Sequence, residues 1–213
     1  IMDRLRIEGP VKLSGSVAIN GSKNASLPIM AGSLLASGET TLKTIPVLSD
    51  INVCIELLES LGCDIERKEN KDVVIDTSGQ LEPVGRYDIV KKMRASICIL
   101  GPLLARCGRA EVSMPGGCAI GDRPVDIHLR GLRELGAEIH LKNGYIIAEA
   151  PKGGLKGADI FLGGPFGSTV LGTANVMMAA VLAKGKTVIE CAACEPEIAD
   201  LARFLNKMGA KIR

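Results

Sequence analysis

The sequence predicts an α+β fold built from three related units, each with two helices and a small sheet. A helical stretch closes on Leu-Gly or Met-Gly three times, and its glycines are Gly62, Gly136 and Gly209, which lie 74 and 73 residues apart. Self-similarity at a fixed period indicates a repeated structural unit. Within each period, stretches with helical spacing alternate with short runs of strand-forming residues. The 213 residues, 46% of them hydrophobic, suffice to bury a sizeable core.

The first helix of each unit is an apolar stretch, predicted at 25–36, 95–105 and 173–183. Each stretch ends shortly before a glycine, which is favoured after a helix C-terminus because it adopts positive φ angles. A short strand follows in each unit, with the sequences TTLK, AEVSM and KTVIE.

A second helix and a β-hairpin complete the units. In the first unit, Ile51, Ile55 and Leu58 recur at the spacing of one helix face. In the second unit, Asn143-Gly144 separates two alternating runs, which is a strong signal for a two-residue hairpin turn. The predicted order of a unit is therefore β-α-β-α-β-β. The third unit reaches the end of the sequence before any hairpin, so we expect the chain to be a fragment cut within a repeat.

The amino-acid composition argues against several classes of function. The formal net charge is +2 and only 2% of the residues are aromatic, which argues against a nucleic-acid partner. The longest apolar run, 170–183, is too short and too interrupted by polar residues to span a membrane. Seven cysteines without an export signal indicate reduced thiols, and we expect a cytoplasmic protein.

Two of these cysteines, Cys191 and Cys194, have CxxC spacing. No second cysteine pair or histidine cluster completes a zinc site, so no metal is predicted. A redox pair is one interpretation, and two small, mostly buried thiols are the favoured one.

The loop 114–124, with the sequence MPGGCAIGDRP, is where the second unit departs from its relatives. From Gly108 to Val125 it takes 17 residues to pass from the first strand to the second helix, against 13 in the other two units. A local rule broken in one repeat indicates function. Cys118 is either a small turn residue or a thiol whose pKa is lowered by Arg123, able to act as a general acid or nucleophile.

Cations at the predicted helix starts suggest an anion site. Lys23 and Asn24 open the first helix of unit one, and Arg94 holds the equivalent place in unit two. If the repeats pack around a common axis, Lys23, Arg94 and Arg123 converge into a pocket for phosphate or carboxylate, since helix N-termini favour anions. The alternative is that they are three solvated surface cations.

Taken together, the motifs resemble the UDP-N-acetylglucosamine 1-carboxyvinyltransferases, a group of enolpyruvyl transferases. The resemblance rests on INGSKNASLPIMAGSLLASG, MRAS, PGGCAIGDRPVDIHLRGLRELGAEI and EPEIADLARFLNKMGAKI, and it covers about the first half of a family member. It implies a two-lobed protein, each lobe an α/β prism of three βαβαββ units about a pseudo-threefold axis, with the active site between the lobes. Residues 1–20 would belong with the other lobe, and 21–213 would form the cysteine-loop lobe with its third unit truncated.

The reaction implied by the resemblance moves the enolpyruvyl group of phosphoenolpyruvate to the 3′-hydroxyl of UDP-N-acetylglucosamine and releases phosphate. It proceeds by addition and elimination, needs no metal or organic cofactor, and commits carbon to peptidoglycan. The two small-molecule substrates and the missing C-terminal half of the same protein are the implied partners. Because the family's general-base aspartate lies in that half, we expect no transferase activity from this chain alone.

The resemblance also implies roles for individual residues. Cys118 is the implied proton donor, able to form a covalent adduct with phosphoenolpyruvate and to attack fosfomycin. The implied substrate contacts are Lys23 and Asn24 for phosphoenolpyruvate, Arg94 for substrate, Arg123 for both phosphate and nucleotide, and Pro124, Val125, Asp126, Ile127, Gly167, Ser168, Thr169 and Val170 for the nucleotide. The last four are carried over less directly, because this chain has GSTVLGT where the family often has SVGAT.

Three alternatives stay open. The sister enzyme that makes 5-enolpyruvylshikimate 3-phosphate shares the fold but lacks a PGGCAIGDRP loop. A non-catalytic homologue could bind a sugar nucleotide without turnover. An RNA-processing enzyme with a related repeated fold is disfavoured by the near-neutral charge and scarce aromatic residues.

Overall fold

The structure, a computed structural model, describes residues 4–115, 125–165 and 167–213. The helices are α1 (Lys23–Gly32), α2 (Ser49–Ser60), α3 (Tyr87–Val90), α4 (Leu100–Cys107), α5 (Asp126–Glu134), α6 (Val170–Val181) and α7 (Pro196–Lys207). Two 3-10 segments, Ser33–Leu35 and Arg94–Ile99, adjoin α1 and α4. The strands are β1 (Glu39–Leu42), β2 (Asp64–Arg67), β3 (Val73–Asp76), β4 (Val84–Gly85), β5 (Arg109–Ser113), β6 (Glu138–Lys142), β7 (Tyr145–Glu149), β8 (Asp159–Phe161) and β9 (Val188–Glu190).

The strands form three small sheets, one for each unit. The first has the order β1-β3-β2 and is antiparallel, the second has the order β4-β5-β7-β6, and the third is the pair β8-β9. The pairs β4–β5 and β8–β9 are parallel. Only the second unit shows the complete β-α-β-α-β-β order within the described residues. The first unit has no strand before α1 there, and the third has no hairpin.

The hairpin predicted in the second unit is confirmed. Lys142 and Tyr145 face each other across the turn, and Asn143 and Gly144 both adopt positive φ angles of 53° and 79°. Positive φ at both central residues is the geometry that favours an Asn-Gly turn, since its twist matches that of the strands. The hairpin of the first unit, β2–β3, is confirmed as well.

The first helices differ from the predicted stretches at their starts. The prediction placed them at 25–36, 95–105 and 173–183, whereas helical structure begins at Lys23, Arg94 and Val170. The middle one opens as a 3-10 segment of six residues before it becomes α-helical. Apolar patterning does not reveal these first residues because they are polar or only partly buried.

The second helices also differ in length. α2 and α7 have 12 residues each, whereas α5 has nine and begins at Asp126. The connection that precedes α5 is therefore even longer, relative to the other two units, than the sequence spacing indicates.

The first helices form the centre of the lobe. In α6 every residue from Gly172 to Ala179 is buried, and α6 contacts α1, α4, α5 and α7. Gly101 on α4 permits the closest of these approaches, because a Cβ atom there would overlap the main-chain oxygen of Asn175 on α6. Within the described residues, no helix is both long and apolar enough to cross a bilayer.

The segment before α1 stands apart from this core. Residues 4–20 are all exposed and contain no helix or strand. Their apolar side chains alternate along the chain and are at least 71% exposed; they are Leu5, Ile7, Val11, Leu13, Val17 and Ile19.

Replacing Gly101 by alanine is expected to destabilise the protein by about 2 kcal/mol, because overpacking at a close helix contact forces backbone shifts. The free energy of unfolding in urea measures this loss. Gly79→Ala is the matched control, since a Cβ atom at Gly79 would meet only the Gly62 oxygen at 3.5 Å. Equal stability of the two variants would contradict the proposed packing.

Candidate functional site

Lys23 is the first residue of α1, and Ser22 caps this helix. The Ser22 hydroxyl oxygen accepts a hydrogen bond from the Ala25 N–H at 3.3 Å, and the Ser26 hydroxyl donates to the Ser22 carbonyl at 2.7 Å. No acidic residue lies in the first turn of α1, so its partial positive charge is not offset there. Asn24 follows as an exposed residue. The start of α1 thus combines N–H groups with an ammonium, which suits an anion.

The Lys23 ammonium is held by a carboxylate from the second helix. Its Nζ lies 2.8 Å from Oδ2 of Asp50, which sits in the first turn of α2. The two side chains are 42% and 34% exposed, so the pair contributes roughly 0.2–1 kcal/mol to stability. Because a lysine ammonium has three N–H donors, two remain for other acceptors. The pair therefore orients Lys23 without saturating it.

Arg94 occupies the equivalent position in the second unit. It is the first residue of the 3-10 segment Arg94–Ile99, which runs directly into α4. That segment contacts both α1 and α6, and α6 itself begins at Val170. The prediction that Lys23 and Arg94 open equivalent helical segments is confirmed. Since α1 also contacts α6, the first helical segments of the three units all contact one another.

The start of α5 supplies three more of the predicted residues. Val125 is the residue before the helix, and Asp126 and Ile127 are its first two residues. The Ile127 side chain packs against Gly164, where a Cβ atom would lie 2.7 Å from Ile127 Cδ1. This contact joins the start of α5 to the loop that precedes α6.

The loop before α6 is closed by its own backbone. Gly164 and Gly167 exchange two N–H···O hydrogen bonds of 2.9 and 3.0 Å, and Gly167 adopts a φ of 90°. Ser168 is exposed, and Thr169 caps α6 by accepting a hydrogen bond from the Gly172 N–H at 3.2 Å. The predicted nucleotide contacts 167–170 thus lie at a helix N-terminus next to Ile127.

Three of the predicted site residues, Cys118, Arg123 and Pro124, lie outside the described residues. The prediction that a thiol on this loop faces the cations at the helix starts therefore stays a prediction.

A buried histidine lies behind the start of α5. His128 is 2% exposed, and its Nδ1 lies 3.0 Å from Nδ2 of Asn175. Burial and, to a smaller extent, the charge of Arg94 lower the pKa of His128 to about 4, against an opposing effect of Asp126. His128 is therefore neutral at physiological pH. The other histidine, His140, is exposed.

Comparison with known proteins places this architecture in a family. The family model for EPSP synthase (3-phosphoshikimate 1-carboxyvinyltransferase) matches residues 7–213. This chain belongs to the EPSP synthase family of enolpyruvyl transferases.

Relatives within the family carry a more specific name. The chain is 52% identical over 215 residues to a UDP-N-acetylglucosamine 1-carboxyvinyltransferase of Myxococcus xanthus, covering 99% of this chain and 50% of the relative. It is 57% identical over 212 residues to the protein of that name from Trichlorobacter lovleyi, covering 99% and 49%. The chain thus spans about half the length of the curated relatives it matches.

Solved structures confirm the predicted fold class. The enolpyruvyl transferase NikO from Streptomyces tendae matches with a TM-score of 0.77 at 18% identity, over 94% of this chain and 46% of that one. An EPSP synthase from Acinetobacter baumannii matches with a TM-score of 0.72 at 19% identity, over 93% and 44%. The predicted enolpyruvyl transferase-like lobe is therefore correct.

The described cysteines of this family member fall into two groups. Cys54, Cys63 and Cys98 are buried, and burial raises their thiol pKa values to about 12, 11 and 12. Cys107 and the CxxC pair are exposed, although partial desolvation of the Cys107 thiol still raises its pKa. Among the described cysteines, the buried group is therefore the less reactive one.

The prediction that Cys191 and Cys194 are mostly buried was wrong, because both are exposed. Cys191 directly follows β9, adopts a φ of 53° and turns the chain into the surface connection to α7. Cysteine residues are buried on average, but these two lie in a connection between elements, and such connections usually run over the surface.

Two functional candidates were missing from the sequence prediction. Asp50 reaches Lys23 across 27 positions, and Asn175 reaches His128 across 47. Neither pairing follows from local spacing. The one available signal was an asparagine within the most apolar helix, which demanded a buried hydrogen-bond partner.

The neutral state of His128 predicts a loss of stability in acid. The unfolded imidazole binds a proton below about pH 6.5, whereas the folded one does so only near pH 4, so stability falls as the pH is lowered between these values. His128→Gln keeps an acceptor but cannot titrate. Between pH 7.5 and 4, we expect its free energy of unfolding to fall by about 3 kcal/mol less than that of the unsubstituted protein. Urea unfolding at several pH values measures this difference.

His140→Gln is the matched control, since His140 is exposed and should leave the pH dependence unchanged. If both substitutions have the same effect on the pH dependence, His128 does not carry the depressed pKa.

Proposed function

We propose that this chain is the cysteine-loop lobe of an enzyme that transfers enolpyruvyl from phosphoenolpyruvate to the 3′-hydroxyl of UDP-N-acetylglucosamine. The observation that carries the proposal is identity of 52–57% across 99% of the chain with proteins of that name. The likeness to EPSP synthase and NikO structures, at 18–19% identity, supports the fold alone. The sugar-nucleotide reaction is therefore favoured over the shikimate one.

The side of the proposed site that this lobe forms is cationic. Lys23, oriented by Asp50, would bind phosphoenolpyruvate and the intermediate, with Asn24 as a polar contact. Arg94 would bind an anionic group of the sugar-nucleotide substrate. The nucleotide would lie along the start of α5 and the loop 167–170. These two elements suit it because both are helix N-termini, which favour anions, and they are joined by the Ile127–Gly164 contact.

The proposed chemistry uses the loop thiol as an acid. Cys118 would donate a proton to C3 of phosphoenolpyruvate while the sugar 3′-oxygen attacks C2, giving a tetrahedral intermediate. Loss of phosphate from C2 and of a proton from C3 then restores the double bond in the product. Arg123 would stabilise the phosphate as it carries charge and leaves. A general base for the sugar hydroxyl would come from the second lobe.

The proposed second lobe also accounts for two unpaired surfaces. The alternating exposed apolar residues of 4–20 are suited to strand pairing outside this lobe, as predicted for 1–20. In the first two units, the strand after the first helix pairs with an antiparallel partner, β1 with β3 and β5 with β7. The equivalent β9 pairs only with β8 among the described residues. A hairpin from later in the protein would complete its sheet.

The proposed hairpin would cover a cavity of about 850 Å³. It is lined by residues of α6, β9 and the C-terminal segment, including Met177, Val188 and Ile212. In cells, the proposed reaction would serve peptidoglycan synthesis, and through it cell shape and division, in the cytoplasm where thiols stay reduced.

Phosphate release tests the proposed reaction. The full-length protein containing this chain is expected to release phosphate from phosphoenolpyruvate when UDP-N-acetylglucosamine is present, and not when shikimate 3-phosphate replaces it.

Arg94→Ala and Lys23→Ala are expected to lower kcat/KM at least about 100-fold, the size of effect seen for charged groups at a developing charge. The chain alone should be inactive. Turnover with shikimate 3-phosphate would favour the sister enzyme, and sugar-nucleotide binding without phosphate release would favour a non-catalytic homologue.

Fosfomycin labelling tests the role of Cys118. Mass spectrometry of the full-length protein incubated with this epoxide and UDP-N-acetylglucosamine is expected to show one adduct on Cys118, because a thiolate opens an epoxide and a lowered pKa raises the thiolate fraction. Cys118→Ser should abolish the adduct. Cys107→Ser, at an exposed cysteine away from the loop, is the matched control and should leave it unchanged. Labelling mainly at Cys107, Cys191 or Cys194 would contradict the assignment.

A further inference from the structure

The side chain of Asn175 is inserted into a helical backbone ladder. Its Oδ1 accepts a hydrogen bond from the Gly101 N–H at 2.7 Å, and its Nδ2 donates to the Ile97 carbonyl at 2.8 Å. Ile97 and Gly101 are four residues apart, which is the pair that an α-helix joins directly. The Asn175 amide thus stands in for one backbone hydrogen bond, and side-chain insertion of this kind distorts a helix.

The orientation of this amide is fixed by its surroundings. A backbone donor faces Oδ1 and a backbone acceptor faces Nδ2, so the amide cannot be flipped. The second Nδ2 hydrogen points to Nδ1 of His128 at 3.0 Å, which makes that nitrogen an acceptor and leaves the imidazole proton on Nε2. Asn175 is fully buried and His128 nearly so. Both ends of the Asn175 amide are thus hydrogen-bonded in the core, which favours one arrangement of the helices.

The insertion lies next to the 3-10 segment that carries Arg94. That segment spans six residues and ends where α4 begins, between the two backbone groups that Asn175 holds apart. Over six residues, a 3-10 helix rises about 3 Å more and turns about 120° more than an α-helix. The helix form between Ile97 and Gly101 therefore bears directly on where Arg94 lies and which way its side chain leaves the backbone.

We propose that Asn175 is a positioning residue for Arg94, acting by keeping Arg94–Ile99 in its 3-10 form, with His128 holding the Asn175 amide. The inference rests on the proposed function, in which Arg94 contacts substrate. The charge of Arg94 also acts on His128, so the arginine and the network are neighbours in space. Without Asn175, the Ile97 carbonyl and Gly101 N–H are free to pair directly and draw Arg94 toward an α-helical position.

A double-mutant cycle separates this role from a purely structural one. Binding of UDP-N-acetylglucosamine to the full-length protein is measured by calorimetry for Arg94→Ala, Asn175→Ala and the double variant. Asn175→Ala is expected to weaken binding about tenfold in the presence of Arg94 and less than about twofold in its absence, because coupled residues show non-additive effects. An equal tenfold loss in both backgrounds would overturn the proposal.

Thr173→Val is the matched control for lost buried polarity in α6. Thr173 is fully buried and its hydroxyl accepts a hydrogen bond from the Ala193 N–H at 3.0 Å, on the side of β9 rather than of Arg94. Its effect on binding should be below about twofold in both backgrounds. A dependence on Arg94 equal to that of Asn175→Ala would show that the coupling is not specific to the inserted amide.

A milder variant guards against loss of folding. Asn175→Thr keeps one donor and one acceptor, and the same cycle with it is expected to show about a threefold loss that again depends on Arg94. If neither Asn175 variant folds, Asn175 is a stability residue and the positioning role is rejected. Absence of sugar-nucleotide binding to the unsubstituted protein, or unchanged binding in Arg94→Ala, would instead refute the proposed function on which the inference rests.

Discussion

The close packing of α4 against α6 is the constraint on which the lobe depends. Gly101 leaves room for the α6 backbone, and the Asn175 amide fills the remaining space with three hydrogen bonds. Because both helices are buried, any change at this contact is transmitted to neighbouring segments, since protein interiors are densely packed. The starts of α5, α6 and the Arg94 segment are all held by this one region, and they carry most of the described candidate site residues.

The candidate site residues lie at the starts of helical segments. Lys23 and Arg94 occupy equivalent places in two repeats, and the third repeat has the uncharged Val170 there. Repetition therefore explains why two cations hold equivalent places, while divergence explains why only two of three positions are charged. The connection before α5 is the part of the second unit that no longer matches its relatives. The repeat thus accounts for the two equivalent cations, and the departure from the repeat carries the proposed acid.

Local patterns in the sequence predicted the repeat and the hairpins, because each depends on residues close in the chain. The Asn143-Gly144 turn is an example, since its φ angles follow from two residues alone. The 3-10 form at Arg94 could not be predicted, because it involves Asn175, 78 positions from the carbonyl it binds. The ion pair of Lys23 with Asp50 is equally non-local. The prediction that Cys191 and Cys194 are buried was wrong for a different reason. The average burial of cysteines does not determine whether a particular connection lies at the surface.

The exposed segment 4–20 bears on how the protein is handled as well as on how it works. Six well-exposed apolar side chains at alternate positions, together with the open edge of β9, are surfaces on which strands from another molecule can add. A single lobe produced in isolation would expose both of these surfaces to solvent, so its copies are prone to aggregate through edge-to-edge strand pairing. In the proposed full-length protein, the companion lobe would shield both surfaces from such pairing.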